Sequence, residues 1–151
     1  MLLVACACMT SLYAQTPVQN PTPNTYAQKL TDQALAKHPD VVILAMHVIS
    51  KDGSDYPILA SNIGRYGKKA DEDDLRVIKT GKPNLEVNKT GNHFEVELPL
   101  QDVNKKTIGA VGIVFNYKPG DDKQAYERKA IQVRNELREQ TPSADRLYET
   151  P

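Results

Sequence analysis

The stretch 41–49, VVILAMHVI, decides the fold. It is apolar except for His47, it is rich in β-branched residues, and it lies between Pro39 and the turn sequence KDGS at 51–54. A short apolar run bounded by turn residues predicts a strand that is covered on both faces. We therefore expect this segment to lie at the centre of the core.

Helices and further strands are predicted on both sides of this strand. The predicted order is a helix over 25–38, strands over 41–49 and 57–63, a short helix after Asp71, strands over 85–88, 93–100 and 107–117, and a helix from 121 to 140. Leu75 and Ile78 are expected to face inward from the short helix, and alternation places Glu97 on a polar, solvent-facing side of its strand. This order predicts an α+β fold, a five-stranded antiparallel sheet flanked by N- and C-terminal helices.

The domain boundaries follow from changes in composition. Residues 24–140 are predicted to form one domain, and residues 141–151 a polar tail without periodicity. The 151-residue chain has 19 basic and 19 acidic side chains, so no large positive field is present to hold nucleic acid, and we expect no nucleic-acid partner. Both cysteines, Cys6 and Cys8, precede the folded part, which excludes a disulfide or a cysteine-based zinc site there. We expect no metal and no cofactor.

The first 14 residues, MLLVACACMTSLYA, are apolar and rich in small residues. Such a segment is typical of the apolar region of an export signal and is too short to span a bilayer. Cleavage after Ala14 would leave the proline-containing spacer 15–23 ahead of the domain. Alternatively, residues 3–6 (LVAC) resemble the lipobox of bacterial lipoproteins, with Cys6 as the lipidated residue and the single membrane anchor. Either alternative predicts a periplasmic or secreted protein.

The sequence contains none of the common catalytic motifs, such as GxSxG, HExxH, a Walker loop or GxGxxG. We therefore expect a protein that is not an enzyme. Residues 64–67 (GRYG) superficially resemble a glycine-rich phosphate loop, but two glycines at this spacing are common in ordinary turns, and we favour the turn.

His47 interrupts an apolar strand, so its ring needs a polar partner. One interpretation is a core histidine that is satisfied by neighbouring groups. The other is a ring that lines a cavity over the sheet and contacts a ligand. His93 and His38 are expected to face solvent.

The segment 62–69, NIGRYGKK, combines the amide of Asn62 with the guanidinium of Arg65 on a glycine-flanked loop before a helix N-terminus. An amide and a guanidinium so placed suit a small carboxylate. In the alternative interpretation, Arg65 pairs with the acidic residues 71–74 and pins the loop.

The order of elements, together with the segments LPLQD at 98–102 and IGAVG at 108–112, resembles the single Cache and PAS-like families of extracytoplasmic sensor domains. The resemblance implies a small-molecule pocket between the sheet and the short helix. Its implied ligand-binding residues are His47, Asn62, Arg65, Tyr66 and Asp74.

These observations predict an exported, stand-alone, sensor-type domain that binds a small carboxylate or an amino-acid-like ligand, with a further partner among proteins of the cell envelope. The alternative is a secreted module that docks a partner protein and binds no small ligand. A third alternative is an accessory enzyme. A polar cavity near His47 would favour the first, and an exposed apolar patch over a filled core would favour the second.

Overall fold

The computed structural model describes residues 21–151. The predicted export segment over 1–14, the lipidation of Cys6 and most of the spacer over 15–23 lie outside the described residues. Residues 21–24 have no regular secondary structure. Within the described range, none of the helices is both long and apolar enough to cross a bilayer.

Strands and helices follow one another much as the sequence predicts. The helices are α1 (Tyr26–Lys37), α2 (Glu72–Thr80), α3 (Lys123–Glu139) and α4 (Ala144–Tyr148). The strands are β1 (Val41–Val48), β2 (Ile58–Ser61), β3 (Asn84–Val87), β4 (His93–Gln101) and β5 (Thr107–Asn116). They form one antiparallel sheet in the order β2-β1-β5-β4-β3, which confirms the predicted five-stranded α+β architecture.

The main core lies between the sheet and the helices α1, α3 and α4. β1 has hydrogen-bonded neighbours on both sides, and its Leu44, Met46 and Val48 are fully buried. On its other face Ile43 is only half-buried, so the prediction of a strand covered on both faces holds only in part. The three fully buried side chains pack in one cluster with side chains from the other strands and from these three helices, among them Leu30 and Val133. Burial of this apolar area is the main favourable contribution to folding.

The residues after Gln140, expected to be a tail, form α4 instead. Leu147 is 0% exposed, and the hydroxyl of Tyr148 donates to the carbonyl oxygens of Val48 and Ile49 at 3.3 and 3.0 Å. A helix of five residues with one buried leucine has no apolar repeat that a sequence pattern could show.

α4 also joins the two ends of the described chain. The amide of Tyr26, at the start of α1, donates to the carbonyl oxygen of Glu149 at 2.6 Å. The guanidinium of Arg146 lies 4.2 Å from the centre of the Tyr26 ring, a cation–π contact.

His38, expected to face solvent, is 3% exposed, and that expectation is wrong. Its Nε2 lies 2.7 Å from Oε2 of Glu136 on α3, and Nζ of Lys37 lies 3.1 Å from the same oxygen. Partial burial acts to raise the pKa of Glu136, but hydrogen bonds from His38, Lys37 and Gln132 outweigh it and lower the pKa to about 2. This contact ties the end of α1 to α3.

The orientation of α2 also differs from the prediction. Its buried side chains are Asp74 and Val77, whereas Leu75 is 45% exposed. A capping box forms at the start of this helix: the Asp71 side chain accepts from the amides of Asp73 and Asp74, and the Asp74 side chain accepts from the amide of Asp71. Asp74 and Val77 are three residues apart and so share one face of the helix, and this face lies on the sheet, where Asp74 contacts His47.

Candidate functional site

The sheet face opposite the main core carries polar residues in matched register. Three cross-strand rows lie on it: Ile43, Val114, Glu95 and Glu86; then Ala45, Gly112, Glu97 and Asn84; then His47, Ala110 and Pro99. Asp74 of α2 contacts His47 and Glu97, so α2 covers the second and third rows. The first row remains open.

His47 and Asp74, both predicted site residues, are brought together under α2. Nε2 of His47 lies 3.4 Å from Oδ2 of Asp74, and the two side chains are 7% and 11% exposed. Nδ1 of His47 lies 2.8 Å from the carbonyl oxygen of Tyr56. Since a carbonyl can only accept, Nδ1 carries a proton and Nε2 is the atom that faces the carboxylate.

Glu97 belongs to the same buried set, and the prediction that it faces solvent is wrong. Its strand face is the expected one, but α2 covers that face and leaves Glu97 5% exposed. Desolvation, a hydrogen bond with Asp74 and the negative charges of Asp74 and Glu95 together raise the pKa of Glu97 to about 9. This shift favours the protonated form of Glu97 at neutral pH, and the amide of Asn84 donates to its Oε2 at 3.5 Å.

Sequence reasoning missed Glu97 because alternation along a strand identifies a face but not what covers it. The available clue was an acidic residue in the middle of a strand, on a face that a neighbouring helix could cover.

A groove of about 290 Å³ opens beside α2, over the first row. We call it the open groove; its lining residues are Ile43, Glu86, Asn88, Lys89, His93, Glu95 and Val114. Ile43 and Val114 provide an apolar floor between charged walls. Within the described chain, neither Glu86 nor Glu95 takes part in a salt bridge.

Glu95 lies at the junction between the open groove and the set under α2. Loss of water around its carboxylate, followed by the charges of Asp74 and Glu86, raises its pKa. His93, expected to be a solvent group, is half-buried at the other end of the groove, where its Nδ1 lies 3.3 Å from the amide nitrogen of Asn88. The groove thus has acidic groups at one end and Lys89 and His93 at the other.

Asn62, Arg65 and Tyr66 are not among the residues that line the open groove. The amide of Asn62 continues the pairing of β1 and β2: its Oδ1 accepts from the backbone N–H of Leu44 at 3.1 Å, and its Nδ2 donates to the carbonyl oxygen of Val42 at 2.9 Å. The hydroxyl of Tyr66 donates to the carbonyl oxygen of Ser61 at 3.0 Å.

Arg65 is exposed and has a φ of 63°, next to Gly64 at 72°. The amide of Lys68 donates to the carbonyl oxygen of Arg65 at 3.0 Å, and Gly67 within that turn has a φ of 81°, so this loop contains a turn, as favoured. In the described part of the chain, Arg65 forms no salt bridge with the acidic residues 71–74.

Among residues 21–151, no group of three or more His, Cys, Asp or Glu side chains is arranged to hold a metal ion. A second cleft of about 430 Å³ lies between the turns after β1 and β4 and the start of α4.

The sequence matches no family model and no curated protein. Solved structures do match. The nlh2 GAF domain of A. aeolicus, in an inactive state, is 16% identical with a TM-score of 0.55, over 75% of this chain and 82% of that one. The repressor BlcR of Agobacterium tumefaciens is 10% identical with a TM-score of 0.54, over 83% of this chain and 68% of that one.

A third match is the GAF domain of a phosphoenolpyruvate-protein phosphotransferase from Acinetobacter, 14% identical with a TM-score of 0.50, over 72% of this chain and 75% of that one. At these identities the likeness is one of fold. The chain has the α+β fold of GAF domains, which is PAS-like, and the PAS-like part of the predicted resemblance is confirmed. Assignment to the Cache family stays a prediction.

Proposed function

We propose that this chain is a sensor-type domain that binds a small molecule in the open groove and carries out no reaction on it. The observation that carries the proposal is the groove itself: about 290 Å³, with an apolar floor and charged walls, on one face of a GAF-type sheet. Small-molecule sites are typically concave and largely apolar, with a few polar groups that fix orientation.

The lining residues favour one of the two predicted ligand classes. Glu86 and Glu95 suit an ammonium group, while Lys89 and His93 at the other end suit a carboxylate. The apolar floor of Ile43 and Val114 suits a short aliphatic side chain. An amino-acid-like zwitterion satisfies all three, whereas a simple carboxylate would leave the acidic end without a partner.

The ligand class can be tested by NMR with three probes of similar size: norvaline, butyrate and butylamine. Titration into the ¹⁵N-labelled protein should shift the amides of Ile43, Glu95 and Val114 most strongly with norvaline. Glu95→Gln should weaken the norvaline response several-fold, and the exposed Glu139→Gln on α3 should leave it unchanged. Shifts that are absent from the groove with all three probes would contradict the proposal.

The variant Arg65→Ala distinguishes ligand binding in the open groove from ligand binding at the loop 62–69, which the sequence predicted. Because Arg65 does not line the groove, the variant should bind norvaline like the wild type. Loss of binding in Arg65→Ala, with binding retained in Glu95→Gln, would favour the loop instead.

Export is part of the proposal and is supported by the composition of residues 1–14 alone. We propose a periplasmic or secreted domain of the Cache-like kind that acts with an envelope protein, and, in the lipidated form, an anchor at Cys6. Fractionation of the host cells followed by mass spectrometry of the N-terminus tests both forms. Cytoplasmic protein that retains Met1 would contradict them.

One observation favours the docking alternative. β3 pairs with β4 on one side and is the edge of the sheet on the other, where Leu85 is 44% exposed. An open edge can accept a strand from another protein. Cross-linking in the native envelope from a photoreactive residue at position 85 would identify such a partner.

A further inference from the structure

Few buried side chains hold α2 on the sheet. Of its nine residues, Asp74 and Val77 are the buried ones, and Leu75 points away from the sheet. A single buried valine gives limited apolar stabilisation. The contacts of Asp74 with His47 and Glu97 are therefore a large share of the interactions that hold this helix against the sheet.

Both contacts of Asp74 require a proton. Oδ2 of Asp74 accepts from the amide of Asp71 at 2.8 Å and lies 3.4 Å from Nε2 of His47. Nδ1 of His47 is already committed to the Tyr56 carbonyl, so only a proton on Nε2, or on Asp74 itself, makes the second contact attractive. Two carboxyl groups likewise attract one another only when a proton lies between them, and the pKa of Glu97 is raised beside Asp74.

We propose that His47, Asp74 and Glu97 form a proton-operated latch, which holds α2 on the sheet and releases it when Glu97 loses its proton. Loss of the proton on Glu97 would place two carboxylates in contact at a site from which water is largely excluded. Repulsion is strong there because the local dielectric is low. α2 is the element that can yield, because β1 and β4 each lie between two hydrogen-bonded neighbours.

The surrounding charges do not compensate such a loss. The charged and titratable groups near the pair or near its neighbour Glu95 are Asp71 and Arg76 on α2, His47 on β1, Glu86 on β3, Glu95 itself on β4 and Lys68 in the loop before α2. Arg76 is engaged with Asp73 and with Asn84, each at 2.8 Å. Lys68 lies 3.7 Å from Asp71, so neither cation is placed to neutralise a second carboxylate.

The raised pKa of Glu97, about 9, places release on the alkaline side of neutrality. Release would uncover Ala45 and Gly112 of the second row and so lengthen the open groove. The latch is a property of the unliganded domain and does not depend on the proposed ligand.

The test is a pH titration, from pH 6 to 10, of the full chain with ¹³C-labelled valine methyl groups and glutamate carboxyl groups. The methyl resonances of Val77 should move toward exposed values with the same midpoint as the Glu97 carboxyl, while those of Val133 in the main core stay fixed. Glu97→Gln keeps a neutral donor toward Asp74, so its Val77 resonances should not move. The matched variant Glu72→Gln, an exposed acid on the same helix, should titrate like the wild type.

Three results would overturn the latch: Val77 resonances that stay fixed up to pH 10 in the wild type, the same midpoint in Glu97→Gln, or Val133 moving together with Val77, which indicates global unfolding. Should Glu97→Gln fail to fold, Asp74→Asn serves in its place. Asparagine still accepts from the amide of Asp71 and removes the second carboxylate, so the same absence of movement is expected.

Discussion

Gly112 of β5 lies beneath the carboxylate of Glu95 on β4, so closely that a Cβ on Gly112 would come within 2.7 Å of Oε1. Gly109, earlier in the same strand, faces the main-chain carbonyl of His47 instead, and a Cβ there would clash with it. A carboxylate at the end of a flexible side chain can move aside, but a backbone carbonyl within the sheet cannot.

Gly109→Ala should therefore cost more stability than Gly112→Ala. We expect the first to lose roughly 1–3 kcal/mol or more, as overpacked cores do, and the second under about 1 kcal/mol. Urea denaturation of the two variants measures the difference. Equal losses would mean that the close approach of β1 and β5 at Gly109 is wrong.

Leu147→Ala should show that α4 is part of the fold. Its side chain is fully buried, so truncation should cost about 2–5 kcal/mol, the usual range for a buried leucine. Leu75→Ala, on the outward side of α2, is the matched control and should change stability by less than about 0.5 kcal/mol. If both substitutions had the same small effect on stability, the result would favour the prediction of a polar tail over 141–151 instead.

Glu136 should contribute stability that acid removes. Its folded-state pKa of about 2 lies below the ordinary value of 4.5, so its contribution is complete above about pH 5 and is lost as the pH falls toward 2. We expect Glu136→Gln to cost roughly 1.5–3 kcal/mol at pH 6, as hydrogen bonds to charged groups do. Chemical denaturation at pH 6 and pH 2.5 should show the gap between variant and wild type closing, and a gap that is independent of pH would refute the assignment.

Glu97 should have the opposite pH dependence. Its folded-state pKa of about 9 lies above the ordinary 4.5, so the unfolded chain loses its proton first, and the wild type loses stability as the pH rises from about 4.5 to about 9. Glu97→Gln removes this dependence and should become increasingly more stable than the wild type over that range. Urea midpoints at pH 5, 7 and 8.5 provide the comparison, with Glu139→Gln as control. Parallel curves for wild type and Glu97→Gln would mean that Glu97 is ionised in the folded protein.

Arg65→Gly should raise stability or leave it unchanged. A residue other than glycine at a φ of 63° carries strain, which glycine relieves, although glycine also loses more entropy on folding. The net gain should lie between about 0 and 1 kcal/mol. Thermal denaturation measures this gain. A clear loss of stability would show that the Arg65 side chain makes stabilising contacts that outweigh the backbone strain.

The strands and caps were predictable because their causes are local. Alternation along β4, the apolar run of β1 and the capping residues Thr25 and Asp71 depend on neighbours within a few positions. The burial of His38, Glu97 and Leu147 was not predictable in the same way. It depends on which helix lies over each side chain, and an isolated polar residue or a single leucine carries no periodicity that reveals its cover.

In the candidate site, too, some residues could be predicted from the sequence and others could not. His47 and Asp74 were each named as site residues from the resemblance, and the structure brings them together, although their direct contact was not predicted. The open groove lies instead over the row of Glu86 and Glu95, where residues distant in sequence meet through strand register. Register between strands depends on the whole sheet, so spacing within one segment could not locate this row.

The hydrogen bond between the amide of Tyr26 and the carbonyl oxygen of Glu149 makes the described domain a nearly closed ring of chain. A short linker from residue 151 back to residue 24 should complete the ring, and new termini could be opened in the turn at 51–54. Such a circular permutant would keep both sheet faces intact. By the same geometry, another protein could carry this domain within one of its surface loops, with the chain entering and leaving at a single point.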